Sequence, residues 1–524
     1  MNSLAIARKP LLEQEPEEEK DSEEVIRGSG VIFLGKFGRI SKSLYQVLVA
    51  RLVGADIFGL YTLGWSLIEL VGRFGLFGLD RGVVQFVSGR PGDGQARART
   101  IGQALALGGI AGLVVTALVW AVAPWAAASV FHKPELSPIL RVLALTIPLM
   151  VVSSILLAGL RALRIVKYDV YVRSLAEPLV LLVSAVGICA LGWTASGLAF
   201  AYLIAAASGV GLAVRFFRRH FSLSRCAAGM TADPLRSPLV AFSAPIPFDD
   251  ALYNLMSRLG LFVLAMFLPA ASVGVYAATS EAAGVVRNIR QAVDPIFTPV
   301  ATGLIQTGNR ERLSDLFASV CRWILILELA FLIGVGLWGG AILSVFGPGF
   351  AAGAWSLMLL SVGFAVNGAF GPAEMLLMGA GRTGLNLLNT VSLLAVNLGL
   401  NLFLVPRHGI VGAALATAVS MVLINLLRVA QARAILGVHP FRRALLKPVC
   451  AAGIAFGAGR FLVGLDAPWS SLSALALPLY FGLVTVFGLE AEDRALWEKF
   501  RGRMFRSRRP DIQSAPYAHA DAAD

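Results

Sequence analysis

The chain has 524 residues, of which 57% are hydrophobic and 15% charged, with a formal net charge of +13 and a mean hydropathy of +0.73. This composition excludes a soluble globular domain. The positive charge does not indicate nucleic-acid binding, because the cations lie in short segments between apolar runs rather than on one basic face. The composition predicts an all-α polytopic membrane protein.

The two ends of the chain are polar. Residues 1–28 are predicted to form a disordered acidic tail, since eight acidic residues stand against three basic ones before residue 25. This segment does not resemble a signal peptide, because it lacks a basic start followed by an apolar core. Residues 490–524 are predicted to form a second tail. We expect both tails to lie in the cytoplasm.

Apolar segments fill the region between the tails. A helix needs about 20 residues to cross the hydrocarbon core of a bilayer. Fourteen segments are predicted to do so, at residues 31–50, 58–79, 101–123, 139–160, 175–193, 197–217, 239–268, 273–300, 316–346, 354–378, 386–405, 411–432, 447–465 and 470–489.

The first twelve spans contain an internal repeat with an offset of 215 residues. The paired landmarks are residues 58–61 with 273–276, residues 130–131 with 345–346, and Gly197 with Gly412. The repeat predicts two pseudo-symmetric six-helix lobes in parallel orientation, which is typical of secondary transporters.

The repeat also predicts the division of the chain. The N-lobe comprises residues 29–220 and the C-lobe residues 239–435, and a cytoplasmic linker at 221–238 joins them. Residues 436–489 carry two further spans outside the repeat.

Orientation follows from the basic residues that flank the spans. Lys and Arg concentrate in alternate connecting segments and in the C-terminal tail, whereas the opposite connections hold only Arg51, Lys133 and Arg407. This asymmetry predicts that both termini lie in the cytoplasm.

Several cations occur inside predicted spans, where lipid exposure costs about 2.5–3.5 kcal/mol each. Lys36, Arg39 and Lys42 share one broad face of the first span, which predicts that they face a cavity or partner acids. Lys36 can instead extend to the cytoplasmic end of the span. In the seventh span Asp250, Asn254 and Arg258 recur every four residues on one face. An alternative for Asp250 and Arg258 is simple neutralisation of charges on neighbouring spans.

Other intramembrane charges have local partners. Glu69 and Arg73, and likewise Arg290 and Asp294, are four residues apart, and each pair is predicted to form a salt bridge. For Glu69 and Arg73 we expect this bridge to be private to the pair.

Four further acids lie inside predicted spans. Glu281 and Glu374 are candidates for coupling to an ion, and Glu177 and Glu328 are further lone acids in spans. Each of them can instead be a paired structural acid.

Other classes of site find little support. The four Cys and five His residues show no metal-ligand spacing, and no nucleotide-binding loop occurs, so neither a metal, a cofactor nor direct use of ATP is predicted. Short outer connections leave no room for an extracytoplasmic catalytic domain, which disfavours a membrane polymerase or ligase. The cavity cations Arg39, Lys42 and Arg258 suit an anionic headgroup such as a pyrophosphate.

Two segments carry a family resemblance. Residues 39–88, with an Arg-containing start and the Phe-Gly-Leu-Tyr sequence, and residues 376–420, with Pro406, Gly409 and the Gly412-Ala413-Ala414 sequence, resemble polysaccharide repeat-unit (Wzx-type) flippases of the MOP superfamily. The resemblance covers about residues 30–435. At the position of Arg258 such flippases often carry an acid, so the resemblance gives this site no role in ion coupling.

The resemblance implies a function and its partners. It implies a bacterial inner-membrane protein that flips an undecaprenyl-pyrophosphate-linked oligosaccharide for polysaccharide biosynthesis by alternating access of two lobes. Cavity cations grip the pyrophosphate, and a polysaccharide polymerase and chain-length proteins are implied as partners. The alternatives are a peptidoglycan-precursor flippase and a multidrug antiporter of the same superfamily; an antiporter for cationic drugs would need an acidic cavity.

Overall fold

The computed structural model describes residues 15–89, 93–192, 195–230, 238–464 and 469–488, with the backbone alone at 15–42, 195, 469–471 and 487–488. Among the described residues every regular element is a helix, as predicted. A helix satisfies its own backbone hydrogen bonds, which hydrocarbon demands of a membrane-spanning segment.

The α-helices follow in chain order: α1 Glu15–Leu76, α2 Leu79–Ser88, α3 Gly94–Trp125, α4 Leu136–Ala144, α5 Thr146–Ala162, α6 Lys167–Asp169, α7 Glu177–Ala190, α8 Ala195–Phe217, α9 Leu223–Met230, α10 Pro238–Ser243, α11 Ile246–Phe267, α12 Ala270–Ala283, α13 Arg287–Gln306, α14 Arg310–Ser344, α15 Ala354–Phe370, α16 Pro372–Gly379, α17 Thr383–Leu436, α18 Leu446–Val463 and α19 Ala476–Leu483. Short π-helical turns occur at Ala126–Val130, Val170–Ala176 and Val484–Gly488, and 3₁₀ turns at Gly284–Val286, Pro348–Gly353, Arg443–Leu445 and Trp469–Leu475.

Ten helices of the described part are long and apolar enough to cross a membrane. The fourteen predicted spans all fall on helices, but some share one. The first two lie in α1, which is kinked at Gly54, and the eleventh and twelfth lie in α17, which is kinked at Gly409. A 3₁₀ turn divides the eighth between α12 and α13, and the fourteenth is a short apolar helix at Leu472–Val486.

The N-terminal tail differs in part from its prediction. The backbone of residues 15–28 is the start of α1 rather than an irregular chain. Glutamate and lysine are good helix formers, and acidic side chains near a helix N-terminus favour the positive end of its dipole. Residues 1–14 and the predicted tail at 490–524 lie outside the described residues.

Two compact units make up the chain. One is drawn from Met1–Asn288, Trp338–Asn367 and Arg382–Arg428, and the other from Ile289–Leu337, Gly368–Gly381 and Val429–Asp524. These boundaries differ from those of the predicted lobes, so the division into two six-helix lobes stays a prediction.

Within the first unit, α1 and α12 touch through residues that the repeat relates. A Cβ added to Gly59 would collide with the carbonyl oxygen of Ala270, and a Cβ added to Gly274 would collide with that of Ala55. Both Ala55 with Ala270 and Gly59 with Gly274 are separated by 215 residues. The two glycines therefore allow a close, reciprocal contact between equivalent helices.

The loop between α3 and α4 is tied to α11 by a lysine. Buried Lys133 donates from Nζ to the carbonyl oxygens of Phe131 at 3.0 Å and Ala265 at 2.6 Å. Burial lowers the pKa of Lys133, and the nearby carboxylate of Glu135 opposes that shift. The amine meets α11 near its C-terminus, where a cation complements the helix dipole.

The second unit has its own apolar core. Its buried members come from α13, α14, α16, the end of α17 and the loop after it: Phe297, Ala301, Leu313, Phe317, Cys321, Ala373, Leu376, Val429 and Val438. Tyr480 Oη in α19 donates to the carbonyl oxygen of Ile326 at 2.9 Å. This bond gives the buried phenol of Tyr480 an acceptor in the middle of α14.

Candidate functional site

A chain of alternating charges links α1, α2 and α11 in the first unit. Arg258 Nη2 lies 3.3 Å from Glu69 Oε2, and Arg73 lies 3.8 Å from Glu69 and 4.0 Å from Asp250. Arg81 donates to Asp250 Oδ1 at 2.6 Å. We call these five residues the arginine network.

Helical spacing explains how α11 contributes. Asp250, Asn254 and Arg258 lie on one face of the helix, four residues apart, as predicted. A break between α10 and α11 precedes them, with Pro245 at the N-cap of α11 and Pro247 in its first turn. Proline is tolerated at such positions because the first amides of a helix have no intrahelical acceptor.

The arginine network lines a polar cavity of about 340 Å³. The other lining residues are Tyr253, Asn254 and Ser257. The side chains of the network are 19–54% exposed, so water and ligands can reach them. Its three arginines and two acids leave a formal surplus of one positive charge. The cavity can therefore accept an anion through charge-assisted hydrogen bonds.

The predicted private bridge between Glu69 and Arg73 is wrong. Glu69 lies nearer to Arg258 than to Arg73, and Arg73 also reaches Asp250. A carboxylate has two oxygens and about four lone-pair directions, so it can serve two guanidinium groups at once. The four-residue spacing places Arg73 close to Glu69. It does not show that α11 places a second arginine, Arg258, beside the same carboxylate.

A second cavity, of about 230 Å³, lies beside α1, α5, α7 and α8 in the same unit. Aromatic residues dominate its wall, namely Tyr45, Phe58, Tyr61, Trp65 and Tyr202. We call it the aromatic cavity. The rings of Trp65 and Tyr202 pack with their centroids 4.2 Å apart. Arg258 lines both cavities.

The aromatic cavity also has a charged side. Arg173 Nη2 donates to Ser154 Oγ at 2.8 Å, and Glu177 lies one helical turn further along the chain. Gly209 in α8 leaves room for Glu177, because a Cβ there would collide with the carboxylate. Glu177 is thus a wall residue of a cavity rather than an isolated acid in lipid.

The other predicted site residues are Lys36, Arg39, Lys42, Glu281 and Glu374. Lys36, Arg39 and Lys42 lie in α1, but their side chains are outside the described residues. In the first unit Glu281 acts electrostatically on Arg287, whose guanidinium lies 4.7 Å from the ring centre of Phe364.

Glu374 belongs to the second unit. Arg290 lies 3.2 Å from Asp294, as the spacing predicted, and 3.1 Å from Glu374. We call these three residues the acidic triad. Glu328, in the same unit, is completely buried against Gly368. Glu374 therefore has a cation beside it, which corresponds to the structural alternative.

The amino-acid sequence did not predict the aromatic cavity. Trp65, Arg173 and Tyr202 come from three helices that are distant in sequence, and no periodic pattern joins them. The lone acid Glu177 was the only local signal. Among the described residues, no group of His, Cys, Asp and Glu is arranged to hold a metal ion.

Comparisons with known proteins agree with this architecture. The family model described as polysaccharide biosynthesis protein matches residues 48–347. A solved structure of the lipid II flippase MurJ in an inward closed conformation aligns with a TM-score of 0.69 and 13% identity, covering 87% of this chain and 98% of that one. An inward-facing multidrug resistance MATE family transporter of the MOP superfamily aligns with a TM-score of 0.59 and 15% identity, covering 76% and 98%.

At these identities the two solved structures establish the fold alone. No curated protein gives a significant sequence match. The fold is similar to that of both solved structures, in agreement with the all-α polytopic membrane architecture predicted from composition.

Proposed function

The chain belongs to the family of polysaccharide biosynthesis proteins, and from that premise we propose that it flips a lipid-linked oligosaccharide across the bacterial cytoplasmic membrane. The lipid carrier is undecaprenyl pyrophosphate, and transport proceeds by alternating access of two lobes. Both termini lie in the cytoplasm. A polysaccharide polymerase and chain-length proteins use the exported product.

The arginine network carries this proposal. Its surplus positive charge and its partly exposed guanidinium groups suit a pyrophosphate, which Arg258 can grip through two parallel hydrogen bonds. Glu69 and Asp250 occupy the arginines until the substrate displaces them. Arg39 and Lys42 of α1 contribute further positive charge in this proposal.

A peptidoglycan-precursor flippase is the second candidate, because its substrate has the same headgroup chemistry on a similar lipid. The similar fold of the lipid II flippase MurJ favours it. A multidrug antiporter is disfavoured, since a cavity with surplus positive charge repels the cations that such proteins export.

The test measures flipping in proteoliposomes that contain the purified protein. Three labelled substrates are compared: the lipid-linked oligosaccharide of the producing cell, a lipid-linked peptidoglycan precursor, and a lipophilic cation. We expect only the first to move between leaflets or into the lumen at a rate above that of empty liposomes. Movement of the precursor alone, or of the cation alone, overturns the proposal in favour of that substrate.

Variants of Arg258 test the role of the cavity in the same assay. Arg258→Ala is expected to slow flipping at least about a hundredfold at normal abundance, because it removes a charged contact worth roughly 3 kcal/mol or more. Arg258→Lys restores part of the rate, because the charge survives without the bidentate geometry. Arg433→Ala, at an exposed arginine, is the matched control. Normal flipping by Arg258→Ala contradicts the cationic cavity.

A further inference from the structure

We propose that the aromatic cavity binds one sugar residue of the substrate, the one joined directly to the pyrophosphate. This inference rests on the proposed function and makes it more specific. It assigns recognition of the sugar to the aromatic wall of this cavity, whereas the headgroup is assigned to the arginine network. Trp65 and Tyr202 are the specificity-determining residues.

The aromatic wall is the first observation. Tyr45 and Tyr61 are 4% and 5% exposed, and Trp65 packs on Tyr202. The face of an aromatic ring carries partial negative charge, and the C–H groups of a sugar ring carry partial positive charge. A flat ring face therefore packs well against the apolar face of a pyranose.

Polar groups in the same wall match the rest of a sugar. Gln46 Oε1 and Ser153 Oγ are buried, and neither has a hydrogen-bond partner among the described residues. An amide side chain and a hydroxyl can each donate and accept, as sugar hydroxyls can. A hydroxyl-rich ligand would give these atoms the partners that buried polar groups require. A purely apolar ligand would leave them without one.

The charges of the wall argue against a cationic ligand. The lining contains two guanidinium groups, those of Arg173 and Arg258, and one carboxylate, that of Glu177. Counted by itself, the lining carries a formal surplus of one positive charge, and Arg258 is shared between this count and that of the arginine network. A carboxylate can accept hydrogen bonds from two sugar hydroxyls, so Glu177 also suits a sugar.

Size and position assign the sugar. The cavity volume of about 230 Å³ is below the roughly 300–1,000 Å³ of sites for drug-sized ligands, so it suits one sugar residue rather than a whole oligosaccharide. Arg258 lines this cavity and the arginine network together. The first sugar and the pyrophosphate are covalently joined and need neighbouring sites. Arg258 lies where these two sites meet.

The experiment separates the sugar site from the headgroup site by binding the two parts of the substrate independently. The probes for the purified protein are the oligosaccharide released from its lipid carrier by mild acid, undecaprenyl pyrophosphate, and tetraphenylphosphonium. Affinity is measured by calorimetry, and the fluorescence of Trp65 is obtained as the difference between the wild type and Trp65→Phe. We expect the released oligosaccharide to bind and to change that difference signal.

The variants give the expected magnitude. Trp65→Ala should weaken binding of the released oligosaccharide about tenfold, as truncation of a buried aromatic anchor does, and leave the affinity for undecaprenyl pyrophosphate within about twofold. Trp65→Phe keeps an aromatic face and should lose less affinity for the oligosaccharide. This comparison distinguishes loss of the aromatic contact from a folding defect. Trp125→Phe, at a tryptophan that is 62% exposed and outside the cavity, is the control.

Two outcomes overturn the inference. In the first, the protein still binds undecaprenyl pyrophosphate, but the oligosaccharide does not bind or binds equally well to Trp65→Ala. The proposed function then survives without this site. The other is Trp65-dependent binding of tetraphenylphosphonium, which makes the cavity a site for cations. If the oligosaccharide binds through Trp65 and undecaprenyl pyrophosphate does not bind, the sugar site stands and the headgroup assignment fails.

Discussion

The arginine network of the first unit and the acidic triad of the second use the same residue types in opposite proportions. Three arginines face two acids in the arginine network, whereas one arginine faces two acids in the acidic triad. Arg290 is 14% exposed, whereas Arg258 and Arg81 are 27% and 54% exposed. A surplus of accessible cations suits an anionic ligand, and a less exposed cation between two acids suits structural support.

Burial is the physical reason for this difference. The penalty for an unpaired charge grows as water is excluded, and partly exposed charges are screened. Loss of Arg290 should therefore affect folding, while changes in the arginine network should affect ligand binding. The following predictions test that contrast, beginning with the largest effect.

Arg290→Ala should cause the largest loss of stability. It leaves Asp294 and Glu374 without their shared cation, and Asp294 Oδ1 already lacks a hydrogen-bond partner among the described residues. Breaking a fully buried ion pair from one side costs about 3–5 kcal/mol, and this partly buried triad should lose somewhat less. The expected result is a protein that is scarce in the membrane and unfolds at lower temperature in detergent.

A charge-free version of the triad provides the control for Arg290→Ala. The combined changes Arg290→Gln, Asp294→Asn and Glu374→Gln leave no unpaired charge and should be milder than Arg290→Ala alone. Normal abundance of Arg290→Ala in quantitative immunoblots would contradict the structural role of the acidic triad.

Glu69→Gln should tighten ligand binding without loss of protein. The carboxylate competes with the substrate for Arg258, so its removal raises the fraction of protein in which Arg258 is free. We expect the Kd for undecaprenyl pyrophosphate to fall by roughly threefold to tenfold, since a surface-exposed pair contributes about 0.2–1 kcal/mol and a partly buried pair somewhat more. Calorimetry on purified protein measures this change.

Asp315→Asn is the matched control for Glu69→Gln. Asp315 pairs with Arg442 on the surface of the second unit, with both side chains 42% exposed. Its loss should leave the affinity for undecaprenyl pyrophosphate unchanged. Weaker binding by Glu69→Gln would indicate that Glu69 orients Arg258 instead of competing for it.

Arg73→Ala should have the smallest effect on stability. Its contacts with Glu69 and Asp250 are 3.8 and 4.0 Å long, its side chain is 36% exposed, and both acids keep another arginine. We expect at most about 1 kcal/mol of destabilisation, measured as the melting temperature in detergent. A large loss of protein would instead support a salt bridge that involves Glu69 and Arg73 alone, as helical spacing suggested.

Local spacing predicted the parts of the site that lie on one helix. The Asp250, Asn254 and Arg258 face of α11 and the Arg290–Asp294 bridge follow from the 3.6-residue period, because residues four apart are neighbours on a helix. The same period gave a wrong partnership for Glu69. Its nearer partner, Arg258, lies 189 residues away in sequence, and no local rule relates them.

The membrane class, the helical content and the residues that the repeat relates all follow from the amino-acid sequence alone. Apolar length and internal backbone hydrogen bonding leave few alternatives in a bilayer, and the 215-residue offset gave Gly59 and Gly274 equivalent positions before any contact was known. Which helices face one another became clear from the fold. It brought Glu69 to Arg258 and enclosed Trp65, Tyr202 and Glu177 in one cavity, because side-chain packing between distant helices is set by shape and volume rather than by any periodic pattern.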